Sequence, residues 1–239
     1  SRDNSKRIMK ILVNGCSFSC GPISWPYHLP GLTNISGHNV VNLACAGAGN
    51  TYIHETTTRA LYKDKFDLVL IMWSGIHRVD KQIEDHSSFN ESTYTSRYQK
   101  SQNDWPEKII HPFNDQTLVE DNWLFGCGHI NKDSTVSAVF KNDYTYIGHQ
   151  QFIDQFLVKV ASLQNTIKQL GIPYRFSFYQ NYIDQIKHSK MIDWTKCVLT
   201  DNINDIAKRL NSYDTDGIHP GLEANQQWAQ CVVEHLNND

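Results

Sequence analysis

What this sequence lacks narrows its reading first. No apolar stretch in its 239 residues approaches the ~18 that span a bilayer, so no membrane helix is expected. No run of Lys and Arg stands out, and 22 basic side chains face 25 acidic ones, for a formal net charge of −3. A nucleic-acid partner, which needs a basic footprint, is therefore not expected either. Neither GxxxxGK nor GxGxxG occurs, so the usual phosphate-cradling loops are missing. The six cysteines are scattered and none forms a CxxC pair, which argues against a zinc site and for free thiols in a reducing compartment. A Cys16–Cys20 bridge is the lesser alternative. There is no internal repeat and no low-complexity tract. A secretory leader is not visible: residues 1–8, SRDNSKRI, are polar, and Met9 reads as the native start. A cytoplasmic protein is the expectation.

What is present is an alternation of strands and helices. KILVNG (10–15), NVVNLA (39–44), DLVLIMW (67–73) and YRFSFY (174–179) are short runs rich in apolar and β-branched residues, bounded by turn formers. Residues 50–63 follow Asn50, a good helix N-cap residue. Residues 149–170 place Phe152, Ile153, Phe156, Leu157, Val160, Leu163, Ile167 and Leu170 three or four apart on one stripe. Gly171 then sits where a C-cap glycine belongs, with Pro173 just beyond. Two further helices are expected, at 201–211 and 222–236. The alternation predicts an α/β domain over 9–239, three layers deep, with helices on both faces of a central parallel sheet. Residues 81–148 break the pattern. They are polar and carry Tyr94, Tyr98, Trp105, Phe113, Trp123, Tyr144 and Tyr146. So long an irregular stretch reads as a loop-rich insertion over the site's rim. Its aromatics suit either sugar stacking or a small core of their own.

Ligands of parallel sheets bind beyond the carboxyl ends of the strands. Three of those ends read NGCSFSCG, NLACAGAGN and WSGIHR. Ser17, in the first, is either a helix cap or a nucleophile, and Ser19 competes for the cap. A nucleophile needs a base, and DTDGIHPG (214–221) offers one. Asp216 and His219 stand three apart across a turn, so the carboxylate can hold imidazole Nδ1–H and leave Nε2 to accept a proton. Gly47 permits a turn, and its unshielded N–H could also approach an oxyanion.

In order and placement these blocks resemble the SGNH, or GDSL-type, hydrolase superfamily. Gly15-Cys16-Ser17 matches its Gly-Asp-Ser block, Asn42 and Gly47 its second block, and Asp216 and His219 its C-terminal Asp-x-x-His. The resemblance implies a flavodoxin-like fold and a serine esterase in which Ser17 attacks, His219 shuttles the proton and Asp216 orients the imidazole. Ser17 and Gly47 would supply oxyanion N–H groups. The third block departs: Trp73-Ser74-Gly75-Ile76-His77-Arg78 lacks the family's Asn, and Ser74 is the expected substitute donor. His77 and Arg78 are candidate substrate contacts, with a surface ion pair the alternative for Arg78. The helix after Ser17 would add its N-terminal dipole. No metal or cofactor is implied, and the expected partner is a small-molecule or carbohydrate ester, an O-acetyl sugar among them. The competing reading is a degenerate binding module for a glycan or protein on the same fold. A phosphate site made by backbone N–H groups is a third.

Overall fold

The computed structural model describes residues 9–33, 39–83, 122–126, 147–179, 182–199 and 201–237. In chain order the strands are β1 (Ile11–Asn14), β2 (Val40–Asn42), β3 (Leu68–Trp73), β4 (Val79–Ile83), β5 (Asn122–Gly126) and β6 (Tyr174–Phe178). The α-helices are α1 (Trp25–Leu32), α2 (Asn50–Lys63), α3 (His149–Gln169), α4 (Ile183–Ile186), α5 (Ile203–Leu210) and α6 (Leu222–Asn237).

Four strands form one sheet in the order β2-β1-β3-β6. Every pair is parallel: Leu12 lies opposite Val41 on one side and Val69 on the other, and Ile71 lies opposite Phe176. Strands β1, β3 and β6 are buried along their whole length, and β3 accordingly reads as an unbroken apolar run, while β6 also buries Arg175 and Ser177, which donate to Tyr174 O, His235 O and Ile71 O. Helices α1 and α5 pack on α6, and α2 packs on α3. These two groups are the outer layers of the three-layer α/β/α architecture. Strand order reverses at β1, so the rim beyond β1, β2 and β3 is the crevice where such sheets bind ligands.

Long, strongly patterned elements fall close to their expected ranges. Helix α3 closes as its glycine predicts: Gly171 has φ +68°, its N–H donates to Lys168 O at 3.0 Å, and Ile172 N–H donates to Ile167 O at 3.2 Å. That is a Schellman closure. Two features differ from expectation. Helix α1 was not legible, because Pro30 lies inside it, although Pro26 in its first turn is a favoured position. Ser17–Ser19 is a single 3-10 turn rather than the start of a helix. One turn sums too few peptide dipoles to matter, so the anticipated dipole at Ser17 is withdrawn.

Of the 81–148 stretch, residues 81–83 and 122–126 belong to an antiparallel ribbon in which β4 pairs with β5, with Asp80 opposite Phe125. Residues 84–121 and 127–146 of that segment, with Tyr94, Tyr98, Trp105, Phe113, Tyr144, Tyr146 and Cys127, lie outside the described residues. Among the described residues no disulfide is formed, and Cys16 and Cys20 are not bridged to each other. No helix among the described residues is long and apolar enough to cross a membrane.

Candidate active site

Strand β1 ends in Asn14, Gly15 follows, and both are structurally compelled. The buried Asn14 amide donates to Thr56 Oγ1 at 2.8 Å and Thr57 Oγ1 at 2.9 Å on α2, while its oxygen accepts Gly15 N–H at 2.8 Å. A Cβ on Gly15 would meet Ser19 Oγ at 2.5 Å and Met72 O at 3.1 Å. The two serines that follow separate cleanly. Ser19 is fully buried, and its hydroxyl accepts the Trp25 indole N–H at 2.9 Å. Ser17 is half-buried at the rim. Its capping alternative finds no support, since Cys16 occupies the N-cap position and no side chain caps the turn.

The candidate base, His219, lies on a small hairpin before α6. Asp214 N–H donates to His219 O at 2.8 Å, and Tyr213 bridges Pro220. Gly217 turns the chain with φ +69°. Asp216 Oδ1 accepts the N–H groups of Ile218 and His219 at 2.8 and 2.9 Å, and its Oδ2 is hydrogen-bonded to His219 Nδ1. Burial pushes the Asp216 carboxyl up, but the backbone and ring of His219 and the Ile218 N–H outweigh it and hold it down at about 2. A carboxylate on Nδ1 requires the proton there, which leaves the Nε2 lone pair outward.

Aromatic packing brings the two halves together. The His219 ring lies 5.2 Å from Phe18, the residue after Ser17. Phe18 lies 4.7 Å from Tyr179 at the end of β6, and the Arg78 guanidinium sits 5.3 Å from the Tyr179 ring. Arg78 Nη1 in turn donates to Ala48 O at 3.2 Å. A continuous wall thus runs from the base past the serine to the glycine turn. Phe18 and Tyr179 were not singled out from sequence, because a lone aromatic at a strand end carries no periodic signal. Among the described residues the Ser17 hydroxyl makes no hydrogen bond, so a Ser17–His219 link is not closed in this structure. Links of this kind are often long before substrate is bound.

The glycine turn is Cys45–Ala48, closed by Ala48 N–H to Cys45 O at 3.1 Å. Gly47 takes its third position with φ +83°, as a type II turn requires. The central N–H, that of Gly47, takes no part in the turn's own bond. Asn42 steadies the loop: its amide donates to Ser19 O at 2.8 Å and its oxygen accepts Ala44 N–H at 3.0 Å. Asn50 is the first residue of α2 rather than its cap, which is Gly49. Its side chain instead accepts Ser74 N–H at 2.9 Å and donates to Gly75 O at 3.0 Å.

Ser74 does not serve as the expected oxyanion donor. It is fully buried, its hydroxyl proton goes to Ala48 O at 2.8 Å, and its own carbonyl accepts the Tyr182 hydroxyl at 2.6 Å. His77 stands apart from the aromatic wall. It is exposed, and its Nε2 lies 2.7 Å from Nδ1 of His149 at the start of α3. The rings are nearly parallel with centroids 4.9 Å apart. So short a nitrogen separation at that centroid distance means they meet edge to edge, sharing one N–H···N bond. Burial, and then His149, lower the His77 pKa.

Sequence reasoning also missed Asp80. It is buried on β4, where its Oδ1 accepts Gly49 N–H at 2.7 Å and its Oδ2 accepts Tyr52 N–H at 2.9 Å, with Thr51 N–H a further donor. A signal existed. A glycine cap has no side chain, so the first N–H groups of α2 had to find an acceptor elsewhere. Among the described residues no group of three or more His, Cys, Asp or Glu side chains is placed to hold a metal ion.

No protein-family model and no curated protein sequence matches the chain. Among solved structures it is similar to a psychrotrophic esterase, EstA, from Pseudoalteromonas sp., at 11% identity and a TM-score of 0.46, over 96% of this chain and 97% of that one. It is similar to a putative lipolytic protein of the G-D-S-L family from Desulfitobacterium hafniense DCB-2, at 12% identity and a TM-score of 0.35, over 95% and 99%. A catalytic mutant of Axe2, an acetylxylan esterase from Geobacillus stearothermophilus, gives 12% identity and a TM-score of 0.34, over 95% and 93%. At these values no chemistry passes from those proteins to this one.

Proposed function

We propose that this chain, which carries the SGNH block order in divergent form on a three-layer α/β/α fold, is a serine esterase. The observation that carries the reading is the Asp216–His219 pair, with its imidazole against Phe18 beside Ser17 on the rim of the parallel sheet. Ser17 Oγ attacks the ester carbonyl and His219 Nε2 takes its proton. The tetrahedral oxyanion is held by the N–H groups of Ser17 and Gly47. Collapse expels the alcohol, which receives the proton from His219, and leaves an acyl-Ser17. Water then attacks by the same route, the acid departs and Ser17 is regenerated. Asp216 keeps the imidazole in the productive tautomer and stabilises its charged form. With Ser74 committed elsewhere, the hole rests on two backbone donors. Losing one donor costs ~10²–10³ in turnover, so the expected rate on simple esters is low.

A fluorophosphonate probe tests this. The wild type is expected to be labelled at Ser17, and Ser17→Ala to lose both labelling and acetyl-ester cleavage. A panel of O-acetylated glycans, assayed for acetate release beside Ser17→Ala, then sorts substrates. One observation favours the second reading, a non-hydrolytic binding module: the Ser17 hydroxyl has no hydrogen-bond partner among the described residues. Wild-type protein that binds a glycan, but is neither labelled nor releases acetate, decides for that reading.

A further inference from the structure

The third block departs from the SGNH pattern exactly where an oxyanion donor is lost, and its residues do something else. They close on one peptide unit. The Ala48–Gly49 peptide is gripped at both ends. Its carbonyl oxygen accepts Ser74 Oγ at 2.8 Å and Arg78 Nη1 at 3.2 Å. Its N–H donates to Asp80 Oδ1 at 2.7 Å. All three side chains come from the segment running out of β3 into β4. The gripped peptide lies two units beyond the one that carries the Gly47 N–H, and the unit between them is itself fixed, since its Ala48 N–H donates to Cys45 O at 3.1 Å and Gly47 is held at φ +83°.

We infer that Asp80 is a positioning residue for the oxyanion hole: it locks the Ala48–Gly49 peptide, and through it the direction of the Gly47 N–H. The inference rests on the esterase reading and deepens it. In this chain the third block orients the second block's donor instead of contributing one of its own.

Three physical points support the assignment. A carboxylate with two oxygens can accept from Gly49, Thr51 and Tyr52 together, which a neutral amide cannot do without turning an NH₂ group toward an N–H. The site is built around that carboxylate: a Cβ on Gly49 would fall 2.7 Å from Asp80 Oδ1. And burying the acid is costly, which a purely structural cap would avoid by placing Ser, Thr or Asp at the Gly49 position. Burial raises the Asp80 pKa to about 6 against the pull of the Tyr52 and Gly49 N–H groups and of Arg78.

The test compares wild type with Asp80→Asn by rate of fluorophosphonate labelling and by steady-state hydrolysis of an acetyl ester. Asp80→Asn is expected to label Ser17 and turn over about 10- to 100-fold more slowly, with KM within about twofold, because misaimed catalytic groups lose rate at this scale. Gly49 and Tyr52 amides should exchange faster in the same variant. Equal labelling and kcat beside wild type, or a change confined to KM, overturns the role of Asp80 while leaving the esterase reading intact. Wild type that is not labelled at Ser17 removes both. If Asp80→Asn fails to fold, Ser74→Ala releases the other end of the same peptide. It is expected to lower kcat severalfold at unchanged KM, and an unchanged kcat overturns the inference.

Discussion

At the scale of the residue, the candidate site depends on conformations that few side chains tolerate. Gly47 is the clearest case. At φ +83° a Cβ crowds the following carbonyl, which costs roughly 1–2 kcal/mol. Gly47→Ala is therefore expected to lower stability by about that amount, read as a shift in the urea midpoint. Its labelling by fluorophosphonate should slow further than the stability loss explains, because relieving the strain rotates the N–H. A variant equally stable and equally reactive would remove Gly47 from the hole. The division of labour between Ser17 and Ser19 also lives at this scale. Two hydroxyls two residues apart differ entirely, because one is fully buried on Trp25 and the other stands at the rim.

At the scale of the element, α2 is the instructive case. Its Gly49 start hands capping to Asp80 on another strand, and this couples helix stability to the protonation of a buried acid. The sign follows from the raised pKa. Between the ordinary carboxyl value near 3.8 and the native value of about 6, the folded chain holds a proton that the unfolded chain has released. This contribution to stability is complete below 3.8 and is lost as pH rises through about 6. Wild type should thus gain stability relative to Asp80→Asn on going from pH 7.5 to pH 5, read from paired urea titrations. Catalysis asks for the opposite, since the ionised carboxylate is the form that accepts three N–H groups. A flat difference between the two pH values would show that Asp80 titrates normally.

At the scale of the whole molecule, His219, the proposed base, is held by the C-terminal layer. The His219 hairpin leads directly into α6, where the Asn225 amide donates back to Pro220 O at 2.8 Å. Helix α6 is fastened to the core by Trp228, which is fully buried. Trp228→Ala should cost roughly 3–5 kcal/mol, measured by urea unfolding. The protein that remains folded should label at Ser17 nearly as fast as wild type, because the hairpin's own bonds stay in place. A labelling loss with little loss of stability would show instead that Trp228 acts on the base directly.

Much of this was legible in the sequence where a signal is local or periodic. The apolar runs of β1 and β3, the aromatic-rich β6, the stripe and glycine stop of α3, and the three-residue step from Asp216 to His219 all follow from chain geometry over a few residues. Short-range chemistry also marked Ser17 and Gly47 as candidates. Only the tertiary structure decided that Ser74 is consumed by Ala48, that Ser19 faces inward, that His77 is tied to His149 and that Asp80 caps a helix 31 residues before it. The physical reason is common to all four. A buried polar group must be satisfied, and which partner satisfies it depends on which distant segment the fold brings within 3 Å, a fact no local pattern encodes.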